Sequence, residues 1–316
     1  MRILENPSQL TSLDLPRVIC AIGVFDGVHL GHQKLIQTVV QDAKMREGTS
    51  VIITFREHPY SLLQPSLHIP VLTLPGHKLR LIEKLGANIS ILMKFTRDVA
   101  SMTAETWIKD ILWGQMRIDT IYLGEDSLFG SDQCGNADTL IFWGKKLGFK
   151  VIPLHLLHNE KEAISSTSIR HMINKGALTE AEKYLGRKYS VVGTHTRGRG
   201  KGKELGFPTI NLNTSNQCLP PNGIYVVQVN PIIDNIPDKP IPAVANLGVS
   251  PTFDLDTRSP LLEVHILEQE KIPSAHCLEV AFLKIMRDEK KFRSEKDLST
   301  QIAKDVKEAN AYFSLS

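Results

Sequence analysis

Residues 23–32 read GVFDGVHLGH, and the fold of the first half follows from how the chain enters and leaves this stretch. It enters from Val18–Phe25 (VICAIGVF), a short apolar run of β-forming residues ended by the Asp26-Gly27 turn signal, which predicts a buried strand. It leaves through HQKLIQTVVQDA, which sets Leu35, Ile36, Val39, Val40 and Ala43 on one helical face. Further strands are predicted at Val51–Phe55, Ile89–Lys94, Thr120–Leu123 and near Val151–Pro153, with helices at His77–Leu85, Thr103–Trp113 and Ala137–Leu147. Strands alternating with single helices pair in parallel, because each crossover must carry the chain back to the starting end of the sheet. The first half is therefore expected to be an α/β domain with a doubly wound parallel sheet. Such sheets bind ligands beyond the carboxyl ends of their strands.

The 25–32 loop is a strand exit of that kind. His29 and His32 flank the opening of a helix, with Gly31 between them. A helix start offers unpaired N–H groups and partial positive charge, which attract phosphate, and imidazoles beside it donate to the charge that builds on a phosphorus under attack. Two other readings of the spacing stand beside this one. The pair could ligate a metal, although no third ligand stands nearby in sequence, or one histidine could cap the helix and the other be polar surface. A second candidate cradle is ISSTSIR (164–170), where Ser165, Ser166 and Thr167 are capping types before a short helical pattern carrying Arg170. Taken alone it is also a well-capped helix with a surface arginine.

After Tyr184-Leu185-Gly186 the texture changes to alternating segments, VVGT, GIYVVQV, AVANLGV, LLEVHIL and LEVAFLKI, separated by Pro/Gly/Asn clusters. These predict an antiparallel sheet or small barrel, followed by a closing helix from about Ser294 with Leu298, Ile302, Val306, Ala309 and Phe313 as its buried stripe. The expected division is 1–186 and 187–316, in keeping with the two domains that 316 residues suggest at ~100–200 residues each. Hydrophobic residues at 42% supply a core for each half and exclude a disordered chain. A net charge of +3 is too small to imply nucleic-acid binding by itself. Cys20, Cys134, Cys218 and Cys277 lie far apart, which predicts neither a zinc cluster nor a disulfide framework. The start MRILENPSQL lacks the pattern of a signal peptide, and no apolar run approaches the ~20 residues of a membrane span. A soluble cytoplasmic protein without membrane contact is expected.

The stretch GTHTRGRGKGKELGFPTINL (193–212) combines five glycines with Arg197, Arg199, Lys201 and Lys203. It reads as a flap over nucleotide phosphates, as a strand-binding segment for nucleic acid, or as a solvated loop. The absence of an interleaved aromatic residue in 193–206 weighs against the nucleic-acid reading.

GVFDGVHLGH together with ISSTSIR resembles the HxGH-type nucleotidyltransferases, specifically the adenylyltransferase module of prokaryotic FAD synthetases. The likeness covers most of 15–185, including TFREHP (54–59) and GEDSLFG (124–130). It implies that His29 and His32 bind and stabilise the ATP phosphates, within a nucleotide loop that includes Gly23, Phe25, Asp26 and Gly31. It implies that Ser166, Thr167 and Arg170 contact the departing pyrophosphate, and that His58, Pro59, Asp126 and Phe129 belong to the flavin site. The sequence departs from the family at Arg56-Glu57, where Asp-Pro is usual, and at Ser127, often aromatic, and Leu128, often polar or basic.

GFPTINL, PPNGIY, ANLGVSPTF and LLEVHIL resemble, in order and spacing, the riboflavin kinase module. That resemblance implies that Thr209 and Asn211 hold Mg²⁺ and the nucleotide, that Gly202 and Lys203 stand where the family has Gly-Arg before LGFPT, and that Glu263 is the general base. Between Glu268 and His276 the family's aromatic and Leu-Tyr-Gly residues are replaced, with Gln269, Pro273, Ser274 and Ala275 in their places.

The expected function is ATP-dependent phosphorylation of riboflavin to FMN, then adenylyl transfer from a second ATP to FMN, giving FAD and pyrophosphate. The partners expected are these small molecules, with no nucleic acid. An FAD synthetase with a weak or silent kinase half is the alternative, and a nucleotide-sensing or nucleic-acid-binding protein is the alternative of another class.

Overall fold

A computed structural model of the chain describes residues 1–155, 158–159, 162–196, 201–233, 236–237, 240–249, 260–267 and 275–315. The chain forms two compact units, Met1–Ser166 and Thr167–Ser316.

The first unit is built on six parallel strands, β1 (Arg2–Leu4), β2 (Val18–Ile22), β3 (Thr49–Phe55), β4 (Ile89–Met93), β5 (Ile118–Gly124) and β6 (Lys150–Leu154), in the order β1-β4-β3-β2-β5-β6. Strand alternation divides its apolar residues between two faces. Cys20, Val51, Ile53, Ile91 and Ile121 pack on one side with Trp107, Ile108 and Leu112. Ile19, Ala21 and Ile52 pack on the other with Leu35, Ile36, Val39 and Ala43 of α1 (Leu30–Met45), and Val40, the fifth position of the expected face, packs against them partly buried. Each fully buried aliphatic side chain contributes on the order of 1.5–3 kcal/mol, so these two layers hold the sheet. Helices α2 (Pro75–Lys84) and α3 (Ala137–Leu147) lie close to their expected bounds. The expected helix at 103–113 continues to Gln115, and from Trp107 its turns are wider than α-helical.

Two differences from the expected strands have physical causes. β1 has only three residues and one buried side chain, too few to show a period. The strand expected over 18–25 ends at Ile22, although Gly23 N–H still donates to Ile53 O at 3.0 Å. Beyond it the backbone turns left-handed at Phe25 (φ 50°), Gly27 (φ 81°) and Val28 (φ 40°). A strand cannot run through such angles.

The second unit includes α5 (Leu178–Leu185), which follows α4 (Ser166–Asn174), and an antiparallel barrel. Its strands are β7 (Ser190–Thr196), β8 (Ile210–Asn213), β9 (Gly223–Ile233), β10 (Ile241–Val249), β11 (Pro260–Ile266) and β12 (Cys277–Arg287), ordered β9-β10-β11-β8-β7-β12 and closed by β9–β12 pairing. Val191, Leu212, Tyr225, Val227, Ala245, Leu262, Val280 and Phe282 fill the core. α6 (Glu295–Ser314) packs against β9 and β10, and Ser294 caps it by accepting the Asp297 N–H at 3.1 Å. Of the expected stripe only Ala309 is fully buried, whereas Asp305, not among the expected positions, is buried beside it. Arg287 compensates that carboxylate, donating to it through Nε at 3.0 Å and Nη2 at 2.7 Å.

Candidate functional site

The loop expected to bind nucleotide lies at the carboxyl end of β2, and three unusual backbone angles shape it. Left-handed non-glycine residues are strained by about 1–3 kcal/mol each, so Phe25 and Val28 need something to hold them. Asp26 supplies much of that hold. Its buried carboxylate accepts the Leu72 N–H at 2.9 and 3.0 Å, the Thr73 N–H at 3.0 Å and the Thr73 hydroxyl at 3.3 Å. Gly27 N–H donates back to Thr73 Oγ1 at 3.0 Å. These bonds tie the loop to the segment ahead of α2. Thr73 was not among the sequence candidates, since a threonine two residues ahead of Pro75-Gly76 reads as part of an ordinary turn.

His29 is buried and caps α1, its Nδ1 accepting the backbone N–H of His32 at 3.3 Å. An imidazole that accepts at Nδ1 carries its proton on Nε2 when neutral, which makes Nε2 the donor. The His32 ring stacks on it, centroids 3.5 Å apart and planes 18° from parallel, and meets the edge of Phe25 at 5.2 Å. Burial, together with His29 and the ammonium of Lys78, holds the pKa of His32 well below the usual imidazole value. His32 is therefore neutral at physiological pH, and its Nδ1 is buried with no hydrogen-bond partner among the described residues. Gly31 leaves room for the His29 ring, since a Cβ there would lie 3.2 Å from both Cε1 and Nδ1 of His29. Gly23 has a similar role, because its Cβ would come within 2.9 Å of the Phe25 ring. The helix-cap reading of His29 is thus correct together with, and not instead of, the paired arrangement. Among the described residues no group of three or more His, Cys, Asp or Glu side chains could hold a metal.

Beside this loop opens a cavity of about 840 Å³, within the range of small-molecule sites. Gly23 and Val24 form one margin, and the expected flavin residues His58, Pro59, Asp126 and Phe129 all line it. Its aromatic walls include Tyr60, Phe95 and Trp107, which the sequence reading missed. Trp107 reads from sequence as one more apolar residue of a helix. Tyr60 stacks on His58 at 5.4 Å, an adjacency set by the single turn of helix that Pro59 begins.

Ser166 Oγ donates to the Asp26 carbonyl at 2.9 Å, which brings this residue of the second candidate cradle to the histidine loop. Thr167 is exposed and Arg170 half-buried on α4 in the second unit. That helix is docked on its own unit by Cys218, whose thiol donates to Asn174 Oδ1 at 3.2 Å.

In the barrel, strand register assembles the other candidate group. Asn211 of β8 pairs directly with Glu263 of β11, and Glu263 pairs in turn with Asn246 of β10. Directly paired residues present their side chains on the same face. Asn246 Nδ2 donates to Glu263 Oε2 at 3.4 Å. Asn246 was missed because its position in ANLGV becomes meaningful only once the register is known. Thr209 is exposed at the entrance to β8, Asn211 is buried and Lys203 is exposed. Gly202 packs against this entrance: a Cβ would lie 2.5 Å from Phe207 O and 3.1 Å from Thr209 Oγ1. Arg197, Gly198, Arg199 and Gly200 of the basic loop, and Gln269, Pro273 and Ser274, lie outside the described residues.

Two family models match the chain, FAD synthetase over residues 12–168 and riboflavin kinase over residues 185–313. The chain is 33% identical over 316 residues to the bifunctional riboflavin kinase/FMN adenylyltransferase of Buchnera aphidicola subsp. Schizaphis graminum, covering 100% of both chains. It is 29% identical to the protein of that name from Escherichia coli K12, covering 100% of this chain and 99% of the other. With the one from Bacillus subtilis it is 31% identical, covering 98% and 97%. Among solved structures it superposes on one titled a macrolide-efflux protein, from Streptococcus pneumoniae, with TM-score 0.82, 28% identity and 98% of each chain covered. No helix among the described residues is long and apolar enough to cross a membrane.

Proposed function

The chain belongs to the bifunctional riboflavin kinase/FMN adenylyltransferase family, and from that premise we propose which of its residues do which part of the work. It phosphorylates riboflavin to FMN with ATP and transfers an adenylyl group from ATP to FMN, giving FAD and pyrophosphate.

In adenylyl transfer an FMN phosphate oxygen bonds to the α-phosphorus of ATP while the bond to the bridging oxygen breaks, and pyrophosphate leaves. Negative charge spreads over the equatorial oxygens, so the site needs fixed donors. His29, through Nε2–H, and neutral His32 supply them at the head of α1, whose own N–H groups and dipole add to the attraction. The observation that carries this assignment is the stacked pair, with the tautomer of His29 set by the backbone of His32. The cavity beside the loop takes the flavin ring, with His58, Pro59 and Phe129 as walls and Asp126 at its rim. Asp26 acts through the loop it clamps. Ser166, Thr167 and Arg170 serve the departing pyrophosphate, which keeps the functional boundary of this domain at 186/187.

In the kinase reaction the primary alcohol oxygen of riboflavin bonds to the γ-phosphorus of ATP while the bond to the β–γ bridging oxygen breaks and ADP leaves, and the alcohol gives its proton to Glu263. Asn246 orients that carboxylate. A hydroxyl and an amide oxygen suit Mg²⁺, which keeps most of its waters and takes few protein ligands. Thr209 and Asn211 fit it and would hold it with the nucleotide phosphates, where it would neutralise charge on them. Gly202 and Lys203 close over the phosphates. We assign the protein small-molecule substrates and no nucleic-acid partner, and place it in the cytoplasm, whose reducing conditions suit cysteines that lie far apart in the sequence.

Chromatography of products after incubation with MgATP and either riboflavin or FMN tests the assignment. The wild type makes FMN and FAD from riboflavin and FAD from FMN. A variant carrying His29→Ala and His32→Ala makes FMN but not FAD. Wild-type FAD formation by that variant would remove the loop from the reaction.

A further inference from the structure

Lys78 lies on α2, and the residue is only 5% exposed. A buried ammonium is costly unless it is paired and hydrogen-bonded. Its Nζ donates to two backbone carbonyls, Val24 O at 3.0 Å and Phe55 O at 2.7 Å. These carbonyls belong to the exits of the neighbouring parallel strands β2 and β3, and both residues line the cavity. Val24 O takes a second hydrogen bond from Thr54 Oγ1 at 3.0 Å. The charged and titratable groups around the ammonium are Asp26 and His32 of the loop, with His29 stacked on His32, and Glu57 beyond β3.

Two carbonyls would be satisfied by a neutral amide or hydroxyl without the desolvation of a full charge. The charge itself therefore calls for a use, and the substrates of this site are polyanions. We propose that Lys78 is a positioning residue for adenylyl transfer: its ammonium fixes the junction between the histidine loop and the cavity, and sets a positive charge beneath that loop. This rests on the reading of Gly23–His32 as the adenylyl-transfer loop. Burial also lowers the pKa of Lys78 to about 8, with Asp26 and Glu57 opposing the shift. The charge is then present at neutral pH and lost on mild alkalinisation, before an ordinary lysine would lose it.

The test uses the full chain, with riboflavin phosphorylation in the same molecule as the internal control. Lys78→Met keeps the length of the side chain and removes the charge. FMN adenylylation should fall by about 10–100-fold in kcat, the scale of a reacting group misplaced by a fraction of an ångström to an ångström. Riboflavin phosphorylation should stay within twofold. In the wild type, kcat/KM for ATP in FMN adenylylation should decline above about pH 8, a limb that riboflavin phosphorylation lacks and that Lys78→Met abolishes. FMN adenylylation within twofold of wild type in Lys78→Met, or an equal loss of both activities, overturns the proposal. Should that variant not fold, a wild-type profile in which both reactions share one alkaline limb overturns it. The His29→Ala, His32→Ala variant separates the two failures. If that variant loses FAD formation while Lys78→Met keeps it, only the role of Lys78 falls.

Discussion

The two centres proposed for this chain face related tasks and are built in opposite ways. The proposed adenylyl-transfer centre is a loop, and irregular backbone must be held by particular atoms: a buried carboxylate on three donors, a buried ammonium on two carbonyls, and a glycine under a stacked ring. The proposed kinase centre is a row on a barrel wall, where Asn211, Glu263 and Asn246 come together through the β8-β11-β10 register. A loop centre is positioned by its own side chains. A register centre is positioned by the whole sheet, and only its covering flap depends on a few atoms. Substitutions near the two centres should therefore differ in how far their effects spread.

The sharpest test of this contrast removes the proposed base. Glu263→Gln keeps the hydrogen-bonding shape within the row and should lower riboflavin phosphorylation by about 10²–10⁴-fold, the range for a general base. FMN adenylylation should be unchanged, and the melting temperature should move little, since the register does not depend on the charge. Retained phosphorylation at saturating riboflavin and MgATP would take the base out of the barrel row. Next in size is the loop centre. His29→Ala alone should cost about 10²–10³-fold in FAD formation, and it also removes the cap of α1, worth about 0.5–2 kcal/mol. Thermal denaturation alongside product chromatography would then show activity and stability falling together, the mark of a loop centre. Loss of activity with no loss of stability would break the distinction drawn between the two.

The sequence made these centres legible to different depths for the same reason. In the first unit the short buried strands and the α1 face follow from apolar periodicity, and the histidines announce themselves by standing at a strand exit. Lys78 and Thr73 do not, because their meaning is a contact between segments about fifty residues apart, and a lysine in a helix ordinarily faces water. In the barrel, Glu263 is one carboxylate in an alternating strand, and resemblance rather than periodicity singled it out. Its neighbour Asn246 is 17 residues away in sequence and enters only through pairing. β1 and β8 were unread as strands because three or four residues are too short to display a period. The early end of β2 was unread because Gly-Val-Phe is as β-prone as what precedes it. Only the positive φ of Phe25 reveals that the chain has already left the sheet.

A milder comparison makes the same substitution at one glycine in each centre, and the kinase glycine should be the more sensitive. A Cβ at Gly202 would lie 2.5 Å from the backbone carbonyl of Phe207, whose N–H donates to Gly202 O at 2.8 Å. Backbone cannot swing aside as a side chain can, so Gly202→Ala must open this strap. Riboflavin phosphorylation should fall by about 10–100-fold with FAD formation from FMN intact, on the premise that displacements of about an ångström cost up to ~10². If kinase kinetics were unchanged, the strap would not be part of the phosphate cover.

Gly31→Ala should give the smallest effect, with opposite signs in its two readouts. Gly31 lies in the first turn of α1, where alanine in place of glycine favours the helix by up to about 1 kcal/mol. Its φ does not demand glycine, so no backbone strain opposes the gain. The new methyl would, however, sit 3.2 Å from Cε1 and Nδ1 of His29, closer than comfortable contact, and the ring must yield by a few tenths of an ångström. That ring also stacks on His32 at 3.5 Å, so the displacement passes to both donors. Stability should rise slightly while kcat for FAD formation falls by roughly three- to tenfold, well short of the ~10² that a full ångström of misplacement costs. The KM for ATP should hardly move, because donors that act in the transition state contribute little to ground-state binding. Riboflavin phosphorylation should be untouched. A rise in melting temperature with full FAD formation would mean that the loop centre tolerates motion of its rings, and the contrast with the barrel would then rest on Asp26 and Lys78 alone.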